Sequence, residues 1–114
     1  MKYMLLIYSS SAPEAWAALS EEEQRSVMGE YMAISDLPDV VGGGQLQATD
    51  TATTIRVQDG RTLTTDGPFV AVKEALGGYL IYEADDLDAA IELAAKIPAA
   101  RLGGAIEVRP VMEW

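Results

Sequence analysis

Hydrophobic positions along this chain fall into short runs separated by glycines, prolines and acidic clusters, and their period changes from one segment to the next. Tyr3 to Tyr8 is an apolar run bounded by serines, too short for a helix, and reads as a strand with two apolar faces. A connection from Ser11 to Leu19 follows. Ser20-Glu21-Glu22-Glu23 then fits a capping box, with Ser20 as N-cap and Glu23 at N3, its acidic residues facing the positive helix end. Val27, Tyr31 and Ile34, flanked by Met28 and Met32, carry a helical stripe to about Asp36, ahead of Pro38. Val40-Val41 and Gln45 to Ala48 surround Gly42-Gly43-Gly44 and read as an interrupted second strand. No Gly-Lys-Ser/Thr follows the triple glycine and no Gly-x-Gly-x-x-Gly is completed, so a bulge or a close backbone approach outweighs a phosphate loop.

Ala52 to Val57 is β-branched and alternating, Asp59-Gly60 is a strong hairpin turn, and Arg61 to Thr65 returns. That hairpin delivers the chain to Asp66 at a strand end. Gly78 to Glu83 predicts another strand with two apolar faces. Asp85-Asp86-Leu87-Asp88 starts a second helix whose apolar positions Leu87, Ala90, Ile91, Ala94 and Ile97 run to Pro98, and the aspartates serve as caps and dipole partners. Ala105 to Val111 closes the pattern as a strand, with Pro110 at an edge or strand terminus. The order β-α-β-β-β-β-α-β predicts a single α+β domain over residues 1–114: a ferredoxin-like antiparallel sheet, enlarged by one hairpin, with two helices on one face.

Two helices cover only one face of such a sheet, and antiparallel sheets normally alternate apolar-in with polar-out. Here Tyr3, Leu5 and Ile7 oppose Met4, Leu6 and Tyr8, and Tyr79 and Ile81 oppose Leu80 and Tyr82. The second face therefore calls for a second layer, most simply a copy of the same chain, giving a homodimer with a ligand cavity between the sheets rimmed by Asp66 and tyrosine hydroxyls.

Composition narrows the chemistry. Eighteen acidic residues against eight basic ones give a formal net charge of -10, a field that repels nucleic acid and anionic membranes. With no cysteine and no histidine, disulfides, thiol nucleophiles and the commonest metal ligands and general base are excluded. No cofactor or metal is implied. No transmembrane span or clear signal-peptide cleavage site is present, so a soluble cytoplasmic protein is the expectation.

What remains is the stretch Asp66-Gly67-Pro68-Phe69, followed by Lys73-Glu74 and Gly77-Gly78-Tyr79. Pro68 fixes its own φ and pushes Gly67 toward extended conformations, and the Asp66 carboxylate can accept hydrogen bonds from backbone N–H groups just ahead of it. A turn-forming role accounts for Asp66 most simply. The sharper reading makes it a general acid or base, or an anchor for a polar ligand, with Lys73 offsetting nearby negative charge.

The run Thr65-Asp66-Gly67-Pro68-Phe69, with Lys73-Glu74, Leu76-Gly77-Gly78-Tyr79, the Asp85 to Asp88 helix start, Ile97 to Gly104 and Glu107-Val108-Arg109-Pro110, resembles the DGPF-type branch of the YCII-related proteins. The opening Met1 to Tyr8 fits as well. The resemblance implies a dimeric α+β barrel. It also implies either a cleft built on a His-Asp pair, a link to substituted aromatic compounds, or an accessory role beside an extracytoplasmic-function sigma factor. The chain departs from that pattern twice. Lacking histidine, it carries only the aspartate half of the pair, onto Asp66. Val70-Ala71-Val72 replaces a segment that usually bears Glu and Thr, which removes a polar wall at Ala71.

Two functions follow. In the first, a small-molecule-binding or regulatory accessory homodimer holds a small polar or aromatic ligand, with Asp66, Gly67, Pro68, Phe69, Lys73, Glu74 and Tyr79 as its site. In the second, a cofactor-independent enzyme of lyase or isomerase type uses Asp66 as acid/base while Lys73 stabilises a developing enolate or carboxylate.

Overall fold

The computed structural model describes residues 1–10, 16–70 and 74–113, apart from the side chains of Ser10 and Glu74. Its strands and helices follow the predicted order: β1 (Lys2–Ser10), α1 (Glu21–Ser35), β2 (Val40–Gln45), β3 (Thr53–Gln58), β4 (Arg61–Asp66), β5 (Glu74–Glu83), α2 (Leu87–Ala94) and β6 (Ala105–Pro110). Short 3-10 turns lie at Thr49–Thr51 and Pro98–Ala100. The main sheet has four strands in the order β2-β5-β1-β6, every neighbouring pair antiparallel. That is the ferredoxin-like arrangement, in which each helical crossover leaves room for a strand between the two it connects.

Register explains which face is dry. Leu5 stands opposite Leu80 and Val108, Tyr3 opposite Tyr82, and Ile7 opposite Ile106. Tyr3, Leu5, Ile7 and Leu80 are buried with Ile34 of α1, with Ala90 and Leu93 of α2, and with Ile97 and Ala99 beyond it. Both helices therefore cover this one side. One residue out of step, Met4, Leu6, Tyr8, Tyr79 and Ile81 share the opposite face and are half-exposed. Among the described residues no helix or strand packs on it.

The capping box forms as predicted, with the Glu23 amide donating to Ser20 Oγ at 3.1 Å and the Ser20 amide to the Glu23 carboxylate at 3.1 Å. Asp86 caps α2 through the Ala89 amide at 2.9 Å. The apolar stripe of α2 differs from the sequence expectation. Ala90, Leu93, Ala94 and Ile97 are buried, whereas Leu87 and Ile91 are about half exposed. The helix packs over β6, an edge strand, so sheet lies under only one side of the stripe.

Two further corrections concern the middle of the chain. The second strand ends at Gln45 and does not run on to Ala48. The triple glycine stays within it, with a register shift between Val40 and Gly42. At Gly43, where φ is +155°, a Cβ would lie 2.6 Å from the Tyr79 carbonyl oxygen, the close backbone approach that the sequence suggested. The β3–β4 hairpin does not extend the main sheet; it forms a separate two-stranded one. Asp59 and Gly60 turn it with φ of 51° and 74°, the left-handed pair of a type I′ turn. The hairpin leaves the body as an arm. The chain has a radius of gyration of 16.1 Å against about 13 Å for a compact domain of this length.

Candidate functional site

A cavity of about 840 Å3 lies beneath α1. Its ceiling is the α1 face bearing Val27, Met28, Tyr31, Met32 and Ser35, and its floor is the β2–β5 end of the sheet. The room comes from missing side chains. Gly42, Gly43, Gly44, Gly77 and Gly78 all line it; Gly43 beside Leu80 and Gly77 beside Ser9 lack the side chains that would rise on this side, whereas a Cβ at Gly42 or Gly44 would meet Ile81 or Tyr79 on the other face. Val27 is buried at the root of the helix stripe, while Met28 and Met32, on its flank, remain 48% and 64% exposed. The sequence marked these methionines as stripe neighbours; they become wall because no side chain rises from the sheet to meet them.

Local contacts fix the ceiling. Gln24 donates through Nε2 to the Trp16 carbonyl at 3.0 Å, holding that segment against the start of α1, and Trp16 also lines the cavity. At the far side, the Ala99 amide donates to the Tyr31 hydroxyl at 3.2 Å, and Arg101 pairs with Glu30. These two contacts tie the 3-10 turn after α2 to α1. Burial pushes the Tyr31 phenol above its ordinary range, against the opposing pulls of the Ala99 amide and the Arg101 charge. Asp36, the C-cap of α1, is the one carboxylate among the described lining residues, and no lysine or arginine is among them. No group of three or more acidic residues among the described ones is placed to hold a metal.

The sequence-predicted site lies elsewhere for the most part. Tyr79 lines the cavity; Asp66, Gly67, Pro68 and Phe69 do not. They sit at the base of the hairpin arm, where Asp66 ends β4 as predicted and is exposed. The segment is bound into the hairpin itself. The Gly67 amide donates to the Ala52 carbonyl at 2.7 Å, Thr54 Oγ1 donates to the Gly67 carbonyl at 2.7 Å, and the Arg56 guanidinium lies 4.9 Å from the centre of the Phe69 ring. Gly67 takes a positive φ of +102°, a value open to glycine and costly for other residues. Among the described residues the Asp66 carboxylate has no hydrogen-bond partner, so the turn is held by backbone and by Thr54, not by an Asp66 side-chain bond. Lys73 and the Glu74 side chain lie outside the described residues.

The sequence reading missed the cavity because its signal was an absence. Glycine runs facing a methionine-flanked helix stripe could have pointed to it, but which glycines oppose which helix depends on strand order. This cavity lies on the helix side, within a single chain; the hollow expected between two stacked sheets is a different one and needs a second copy.

Comparison with known proteins fits this geometry. The YCII-related domain family matches residues 1–114. An uncharacterised protein of Rhizobium meliloti (strain 1021) is 33% identical over 117 residues, spanning 97% of this chain and 92% of that one. Among solved structures, 5-chloro-2-hydroxyhydroquinone dehydrochlorinase from Burkholderia phenoliruptrix AC1100, in complex with 2,5-dihydroxybenzoquinone, superposes with a TM-score of 0.55. The two are 14% identical, with 100% of this chain and 96% of that one covered; at that identity the likeness is one of fold.

Proposed function

The chain belongs to the YCII-related domain family, and from that premise we propose that it is a small-molecule-binding homodimer whose subunits each hold a largely apolar, aromatic-sized ligand beneath α1. The cavity is the observation that carries this reading: its volume, about 840 Å3, falls in the range of small-molecule sites, and few polar groups interrupt its apolar wall. The second copy is supported by the half-exposed apolar face of Met4, Leu6, Tyr8, Tyr79 and Ile81 and by the hairpin, whose Ile55 and Val57 are 63% and 67% exposed. A lone two-stranded hairpin is marginal in water, and a second subunit laid on the outer sheet face supplies cover for both. The test is native mass spectrometry of protein purified from its host, beside a Met28→Trp variant that fills the cavity. We expect a dimer carrying a small molecule, and loss of that molecule in the variant by about tenfold or more. A monomer would remove the second copy, and a ligand retained in the filled variant would remove the cavity.

The enzyme reading is favoured by one observation, the fold shared with a dehydrochlorinase. In it Asp66 moves a proton and Lys73 stabilises developing negative charge. Turnover lost in Asp66→Asn but kept in Met28→Trp would establish it over the binding reading. An accessory role beside an extracytoplasmic-function sigma factor is carried by the resemblance of the sequence alone, and failure to co-purify with one would remove it. No described helix is long and apolar enough to cross a membrane; a cytoplasmic location belongs to this proposal.

A further inference from the structure

Tyr31 is the polar group of the ceiling whose hydrogen-bonding state is defined on one side and open on the other. Its oxygen accepts the Ala99 amide proton at 3.2 Å, and the Ala99 residue is buried. A phenol has one proton to give. Among the described residues nothing accepts the proton of Tyr31, although the residue lines the cavity. Accepting a hydrogen bond polarises the O–H and makes it a better donor, and the residue is half-buried, so that donor is open to a ligand in the cavity. Met28, Met32 and Trp16 line the same cavity, and thioethers and an indole make favourable contacts with a planar ring.

We propose that Tyr31 is the residue that orients the ligand: its hydroxyl, held by the Ala99 amide, donates to a carbonyl or quinone oxygen on an aromatic ring lying against Met28 and Met32. This deepens the cavity reading and rests on it. The ligand class is then a planar aromatic with an exocyclic oxygen acceptor, selected over its hydrocarbon analogue. Tyr31 is a specificity-determining residue here, with no proton transfer required of it.

The test uses two probes of matched shape, acetophenone and α-methylstyrene, in which a methylene replaces the carbonyl oxygen. Each is titrated by NMR into the wild-type protein and into Tyr31→Phe. Losing one neutral hydrogen bond should weaken acetophenone about 5- to 10-fold and leave α-methylstyrene within about twofold. Equal changes for both probes, or no change for either, overturn the donor role and leave the cavity reading standing. No binding of either probe to the wild-type protein at millimolar concentration overturns both. Should the variant fail to fold, the carbonyl stretch of acetophenone bound to wild-type protein decides. A shift to lower wavenumber than in cyclohexane supports the donor, and a value equal to that in cyclohexane overturns it.

Discussion

The sheet with its two helices and the hairpin arm come from one chain, yet they are built on opposite principles. In the body, Leu5 and Ile97 are fully buried, and beneath α1 a hollow opens where glycines line the floor. In the arm, every residue of β4 is exposed, and all of β3 but Thr54. The arm is ordered by its own turn, by Thr54 against Gly67 and by Arg56 against Phe69. A conspicuous motif thus sits where little is enclosed, and an inconspicuous one surrounds the space. Conspicuous turn chemistry reports how the chain must bend; enclosure depends on which side chains are missing opposite a helix.

The contrast can be broken most directly by truncation. Leu5→Ala in the body should cost about 2–5 kcal/mol of stability by chemical denaturation, because it removes buried volume that neighbours cannot refill. Val57→Ala in the arm should cost less than about 0.5 kcal/mol for an uncovered hairpin. If a second copy lies over the arm, the Val57→Ala loss grows as subunit concentration rises. Equal losses at both sites, independent of concentration, would mean that body and arm do not differ in this way.

Within the arm, Arg56→Ala should lower stability by about 0.5–1 kcal/mol, the worth of an exposed cation–π contact, with ligand binding in the cavity unchanged within about twofold. A loss of binding in this variant would bring the base of the hairpin into the site and merge the two regions.

The smallest expected effect is on pH dependence, and it belongs to the body. The folded-state pKa of Tyr31 is raised, chiefly by burial, so the unfolded chain ionises this phenol first. The stabilisation is therefore whole below the ordinary phenol pKa of about 10 and is lost as pH rises through the higher folded value. Denaturation of wild type and Tyr31→Phe between about pH 9 and 11 should show wild type losing more. A parallel decline in both would remove Tyr31 from the packed ceiling.

Much of this architecture was legible without coordinates. Ser20 and Glu23 announce a capping box, Asp59-Gly60 a two-residue turn, and the apolar runs at Tyr3 to Tyr8 and Gly78 to Glu83 strands with two apolar faces, because each is a local physical requirement satisfied within a few residues. The burial of α2 was misjudged at Leu87 and Ile91 since periodicity gives a stripe but not what lies beneath it.

By itself the sequence determined the elements, their order and the two apolar faces of the sheet, all consequences of short-range sterics and side-chain period. Only the tertiary structure decided that the hairpin stands apart, that Gly42 to Gly44 and Gly77-Gly78 meet along paired strands under Met28 and Met32, and that Tyr31 reaches the Ala99 amide. Those pairings join residues distant in the chain, and their geometry is set by strand order and helix placement, which no local pattern encodes.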